Sequence, residues 1–209
     1  MGQLYSNQVT QFLPDIDLII GCGDLPFYYL EFLVSVLDVP LYYVCGNHDL
    51  TPQYTMDGRV LTSVNGGQNI HGQVVVERGL VLAGLEGSMR YRPKSPLMYS
   101  EAEMRLEASR LWPRLLLNRL RTGRGMDILV THAPPYQVHD RQDIAHTGFR
   151  SFLTLLRLFR PRFLLHGHIH VYRQDIVRVS RVYETLVINV YPYRVINFYA
   201  PPQAERRLT

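Results

Sequence analysis

Leu41-Tyr42-Tyr43-Val44-Cys45-Gly46-Asn47-His48-Asp49 is an apolar run that ends abruptly in a glycine and three polar residues. A short apolar run closed by turn residues reads as a strand buried on both faces. The same pattern occurs upstream, where Asp17-Leu18-Ile19-Ile20-Gly21-Cys22 leads into Gly23-Asp24. Between the two, Pro26 opens a segment with Phe27, Leu30, Val34 and Leu37 at helical spacing. Strand, polar tip, helix, strand, polar tip is a parallel βαβ unit, which places both tips at the carboxyl edge of one sheet. Open α/β sheets bind their ligands along that edge.

Two further apolar runs follow the same rule. Asp127-Ile128-Leu129-Val130 ends in Thr131-His132, and Arg162 to Leu165 ends in His166-Gly167-His168-Ile169-His170. On extended backbone, residues two apart point the same way, so these alternating histidines can aim two or three imidazoles at one point. Around them, Val74–Val76 and Leu80–Ala83 flank Arg78-Gly79 as a hairpin. Ser100 and Glu103 have the spacing of a capping box opening a helix, and Pro113 breaks or restarts it. Phe149 to Phe159 reads as a helix, and segments near Asp175–Val179, Thr185–Val190 and Arg194–Tyr199 read as antiparallel strands. Gly66-Gly67 reads as a turn, 84–96 as irregular, and 133–147 as a long polar loop of the kind that serves function. No repeat, low-complexity tract or linker interrupts the chain, so 1–209 is expected to be a single domain.

Composition narrows the function. The 209 residues are 46% hydrophobic and 19% charged, which is ordinary for a globular protein. No stretch approaches the roughly 18 consecutive apolar residues of a membrane span, and the first residues lack a signal peptide's basic start and apolar core. Cys22 and Cys45 lie in apolar runs and read as buried core residues. A cytoplasmic protein without a membrane partner is expected. The net charge is +4, but Lys94 is the sole lysine and the arginines are scattered without aromatic interleaving. Nucleic acid is therefore not expected as the main partner. The oligomeric state is left open.

Asp24, Asn47, His48, His132, His168 and His170 thus stand at strand ends. Carboxylate, amide oxygen and imidazole suit a divalent cation such as Mn, Fe, Zn or Mg. A carboxylate can bridge two such ions, and paired metals hydrolyse phosphate esters. In this order and spacing, Gly23-Asp24, Gly46-Asn47-His48-Asp49, Thr131-His132 and Gly167-His168-Ile169-His170 resemble the successive motifs of the calcineurin-like metallophosphoesterases. The resemblance covers about residues 20 to 170 and implies a four-layer αββα sandwich with metals at the strand carboxyl ends. It implies that Asp24 bridges two divalent metals, that Asn47, His132 and His168 complete one site, and that His170 belongs to the other. His48 matches the family's proton donor to the leaving group. The implied reaction is hydrolysis of a phosphomonoester or phosphodiester, in a small molecule or other phosphodiester substrate, by a metal-bound hydroxide. Phosphatase and phosphodiesterase activity both remain open.

One departure qualifies this. The family's first strand ends in Asp-x-His, and this chain has no such motif; Asp15-Ile16-Asp17 lies at the wrong end of a strand. Only Asp24 and His170 remain for the second metal, so one metal in place of two is a further expectation, along with an exposed apolar edge where the strand would pair. A full set of downstream ligands beside a missing first strand points to a truncated or misassigned start more than to evolved loss. The alternatives are a degenerate binding or regulatory protein with one metal or none, and a nuclease. Among weaker candidates, His139, Asp140, Asp143 and His146 either line the substrate entrance or solvate a loop. Arg90, Tyr91 and Arg92 either contact phosphate or are exposed loop residues. Asp49 is expected to orient a neighbouring imidazole, His166 to support the metal ligands, and His71 to be structural.

Overall fold

Each apolar run becomes a strand because its side chains can be buried only between two layers. A computed structural model describes residues 4–6, 8–13, 15–173 and 176–197. The first described element is one helical turn, α1 (Val9–Phe12), followed by β1 (Ile19–Cys22), α2 (Phe27–Leu37) and β2 (Leu41–Val44). β1 and β2 pair in parallel with Ile19 opposite Leu41, as the βαβ reading requires. A two-residue hairpin, β3 (Gln53–Tyr54) with β4 (Val60–Leu61), precedes β5 (Gly67–Asn69), which joins β2 in parallel. The resulting sheet has the order β1-β2-β5, leaving β1 at its edge. Gly66 does turn, with φ +78, but Gly67 already belongs to β5. The sequence Gly-Gln-Asn carries no apolar alternation, and the pairing there is a backbone matter.

The second sheet is built from β6 (Val74–Glu77), β7 (Leu80–Leu85), β10 (Ile128–Thr131), β11 (Phe163–His166), β12 (Val179–Val182) and β13 (Thr185–Asn189), in the order β12-β13-β11-β10-β7-β6. Its four central strands are parallel, and the outer pairs β6–β7 and β12–β13 are antiparallel. A short parallel pair, β8 (Ser88–Met89) with β9 (Met98–Tyr99), orders part of the stretch read as irregular. Then α3 (Glu101–Arg110) starts with both hydrogen bonds of the Ser100–Glu103 capping box, and α4 (Trp112–Thr122) restarts with Pro113 in its first turn. Finally α5 (Arg150–Phe159) leads into β11. Of the three C-terminal strands expected, Thr185–Val190 is β13, although it lies parallel to β11 as well as antiparallel to β12. The segment near Asp175 contributes only Val179 to β12, with Asp175 itself outside the described residues. Residues 194–197 form no strand, and Tyr199 lies outside the described residues.

Strand alternation sends side chains to two different cores. Leu129 packs with Met104, Leu115, Phe152 and Leu155 from the helices. Its neighbours Ile128 and Val130 pack instead with Cys22 and Val44 of the first sheet and Leu165 of the second. A third cluster joins Phe27, Leu30 and Leu33 of α2 to Leu41 and Tyr43. Residues of the two sheets thus share one core, and helix residues pack with each sheet in the other two. Both cysteines are buried free thiols whose pKa burial pushes up to about 12. The parallel strands of both sheets end together, and there the polar tips meet.

Candidate metal centre

The tips of β1 and β2 are held against each other by glycine. A Cβ on Gly23 would stand 2.5 Å from the Gly46 nitrogen, and one on Gly46 would strike the Asp24 carboxylate. Only hydrogen at these positions lets the two loops close. Asp49 ties them from below, accepting from the backbone N–H of Asp24 (2.7 Å) and of Gly46 (2.8 Å) on one carboxylate oxygen. Burial pushes the Asp49 carboxyl up to about 7, against the pull of those N–H donors. Asp49 is thus a backbone brace, and no hydrogen bond links its side chain to an imidazole among the described residues.

His132, at the end of β10, is fully buried. Its Nδ1 lies 2.8 Å from the Cys22 carbonyl, which can only accept, so Nδ1 carries the proton and Nε2 is bare. That Nε2 faces Asn47 Oδ1 at 3.0 Å and Asp24 Oδ2 at 3.4 Å. Asn47 Nδ2 donates to the Tyr91 hydroxyl at 3.2 Å, with Oδ1 turned toward His132. Burial, partly opposed by the Asp24 charge, lowers the His132 pKa, so the imidazole stays neutral. Three lone-pair donors converge with no hydrogen to share, an arrangement that repels unless a cation lies among them.

His168 completes the group. Its Nε2 bonds the Ala145 carbonyl at 2.8 Å, which assigns the proton to Nε2 and leaves Nδ1 free. One donor atom each from Asp24, His132 and His168 lies within 4.8 Å of the others. Burial first, then the neighbouring His132, lowers the His168 pKa to about 4. Both Asp24 (φ +55) and His168 (φ +61) sit in left-handed backbone. That conformation costs a residue with a Cβ roughly 1–2 kcal/mol, and such strain concentrates at functional sites. The residues fit a borderline-hard divalent cation: a carboxylate, an amide oxygen and two imidazoles whose outer nitrogens are each fixed by a carbonyl.

The other candidates fall around this group. The His48 backbone N–H donates to Asp24 Oδ1 at 2.9 Å, and the residue is exposed. His170 is exposed, bonds the Tyr172 hydroxyl (3.1 Å) and stacks on Tyr191, outside the converging three. His139 lies 3.0 Å from His166 Nε2 and 2.9 Å from Ser180 Oγ, in a line that ends at the Gly167 carbonyl. Asp140 staples its loop, accepting from the N–H groups of Gln137 and Gly148. His146 bonds Asp143 and lies against the His168 ring, with centroids 5.1 Å apart. Arg90 spends its guanidinium on the Met98 carbonyl and Glu103, while Arg92 sits over the Tyr91 ring. His71 accepts from the Glu86 backbone N–H and faces Glu86 and Glu107.

Three orienting groups escaped the sequence reading. The carbonyls of Cys22 and Ala145 leave no side-chain signal at all. Tyr91 stood among the residues considered for phosphate contact, but the Gly-Asn-His spacing cannot tell which distant hydroxyl fixes the asparagine amide.

The sequence matches the family model for calcineurin-like phosphoesterase over residues 5–172. No curated protein matches the chain. Among solved structures, the crystal structure of TT1561 from Thermus thermophilus superposes with a TM-score of 0.59 at 18% identity, covering 91% of this chain and 84% of that one. A second solved structure reaches a TM-score of 0.48 at 16% identity over 78% of this chain and 63% of its own. At that identity the first match shows the shared fold alone.

Proposed function

The chain belongs to the calcineurin-like phosphoesterase family, and from that premise we propose that it hydrolyses phosphate esters at the Asp24–Asn47–His132–His168 cluster, with one divalent cation bound there. The observation that carries this reading is the meeting of His132 Nε2, Asn47 Oδ1 and Asp24 Oδ2 without a shared hydrogen. A cation at that point supplies Lewis acidity, lowering the pKa of a water and drawing charge from the phosphoryl oxygens. The protein's part is to hold four donors in place and to keep their protons elsewhere. His132 and His168 do so by donating outward to backbone carbonyls. Asp49 does so by locking the two glycine loops at a fixed separation.

The anchoring of the His48 backbone on Asp24 and the exposure of this residue support a role for it in proton delivery. We assign it the proton delivered to the leaving oxygen, a task suited to an imidazole near neutral pH. His170 is engaged by Tyr172 and Tyr191 and is not among the donors that lie within 4.8 Å of one another, which supports one cation over two.

Hydrolysis of p-nitrophenyl phosphate and bis-p-nitrophenyl phosphate with Mn²⁺ tests the reading and separates monoester from diester preference. Turnover that falls about a hundredfold in His48→Ala is expected. Equal turnover by wild type and variant would remove His48 from the mechanism, and no turnover of either ester would favour a binding role.

A further inference from the structure

Helix α4 buries one face and leaves a second apolar face open. Leu115 is fully buried among Met104, Phe152 and Leu155. Trp112, Leu116 and Leu120 recur at four-residue intervals beside it, and Leu117 widens the row. These four side chains are 37%, 48%, 85% and 48% exposed in that order. Scattered surface leucines are normal, but a continuous row along one helix face marks an interaction surface.

The charge around that row has one sign. From Ala108 to Met126 the sequence contains Arg110, Arg114, Arg119, Arg121 and Arg124 and neither aspartate nor glutamate. Arg114 and Arg119 donate to the carbonyls of Val74 and Leu158, which anchors them without neutralising them. Arg110 pairs with Glu107, whereas Arg121 and Arg124 are exposed and form no ion pair among the described residues.

We propose that this face of α4 docks the protein on an anionic lipid surface. The helix would lie in the interface with its leucines at the acyl boundary and its arginines at the headgroups. Trp112 is held edge-on to Phe159, with ring centroids 6.1 Å apart, at the rim where an indole is half wetted. Nucleic acid would satisfy the arginines but leave the leucines in water, and only one aromatic side chain stands in the row to stack a base. No described helix is long and apolar enough to cross a membrane. The expectation of no membrane partner rested on the lack of such a span, which does not bear on a helix lying in the interface. The inference is independent of the metal centre.

Sedimentation of the full chain with vesicles of phosphatidylcholine alone, and of phosphatidylcholine mixed with phosphatidylserine, tests this. Binding to the mixed vesicles only is expected, weakening with salt. Replacing Arg121→Gln and Arg124→Gln should weaken partition about fivefold per arginine. The pair Leu116→Asp and Leu120→Asp should weaken it about tenfold or more. All four sites are exposed, and an unchanged melting transition would verify that each variant folds. The proposal is overturned by protein that stays in the supernatant, by equal binding to neutral and anionic vesicles, or by a dimer in light scattering that the leucine variant dissolves while vesicles capture neither form.

Discussion

His132 turns a bare Nε2 toward Asn47 Oδ1 at 3.0 Å, two acceptors with no hydrogen between them. Proteins avoid such pairs in a buried setting unless something positive resolves them. This contact is where the proposed cation would be held.

Divalent metal should therefore stabilise the fold through this contact. Mn²⁺ at a hundredfold excess over its dissociation constant should add about 2.7 kcal/mol to the chelated protein, read as a rise in melting temperature. His132→Ala should abolish that gain. Tyr91→Phe should reduce metal affinity by about tenfold or more, because it frees the Asn47 amide to rotate. A full metal response in His132→Ala would place the cation elsewhere.

Gly46→Ala brings a methyl group onto the Asp24 carboxylate. The cost should be about 1–3 kcal/mol together with loss of metal binding. Gly58 offers the contrast: its φ is +83 but nothing lies within 4 Å of an added Cβ. Gly58→Ala should cost about 1 kcal/mol of backbone strain and leave metal binding intact. Isothermal titration of both variants with Mn²⁺ checks the difference.

Asp49→Ala leaves the N–H groups of Asp24 and Gly46 without their acceptor. About 2–5 kcal/mol should be lost in urea unfolding, since each buried unpaired donor carries a desolvation penalty. Asp49→Asn keeps an acceptor oxygen and should lose less. A neutral result for Asp49→Ala would mean that water replaces the brace.

Acid should loosen the start of α3. The Ser100 N–H and hydroxyl donors, followed by Arg90, pull the Glu103 carboxyl from 4.5 down to about 2. A carboxylate depressed in the folded state stabilises above its unfolded pKa, and that share is lost as pH falls through the folded value. Wild type should thus be more stable than Glu103→Gln at pH 6, with the gap closing between about pH 4.5 and 2. Parallel melting curves across that window would contradict the assignment.

The parts of this fold that could be read from the sequence are those where burial dictates residue type. The apolar runs at 19–22, 41–44, 128–131 and 163–166 are strands because both faces are covered. Their polar tips meet because parallel strands end at one edge. β5, by contrast, is Gly-Gln-Asn and is held by backbone pairing to Leu41–Tyr43, which composition does not record. The same limit applies within the centre. That Asp24, Asn47, His132 and His168 meet follows from residue type and strand position, whereas the contacts of His170 with Tyr172 and Tyr191 are announced by no local pattern. A carboxylate in a polar loop looks the same in sequence whether it faces a substrate or, as Asp140 Oδ2 does, accepts from two backbone amides.

Catalysis by one cation at the Asp24–Asn47–His132–His168 cluster is tested by titrating the chelated protein with Mn²⁺ while following both bound metal and the initial rate on bis-p-nitrophenyl phosphate. The rate should rise in step with metal, saturate at one ion per chain, and be absent in His132→Ala. Hydrolysis that survives chelation, or one bound ion per chain with no hydrolysis of either nitrophenyl ester, would contradict it.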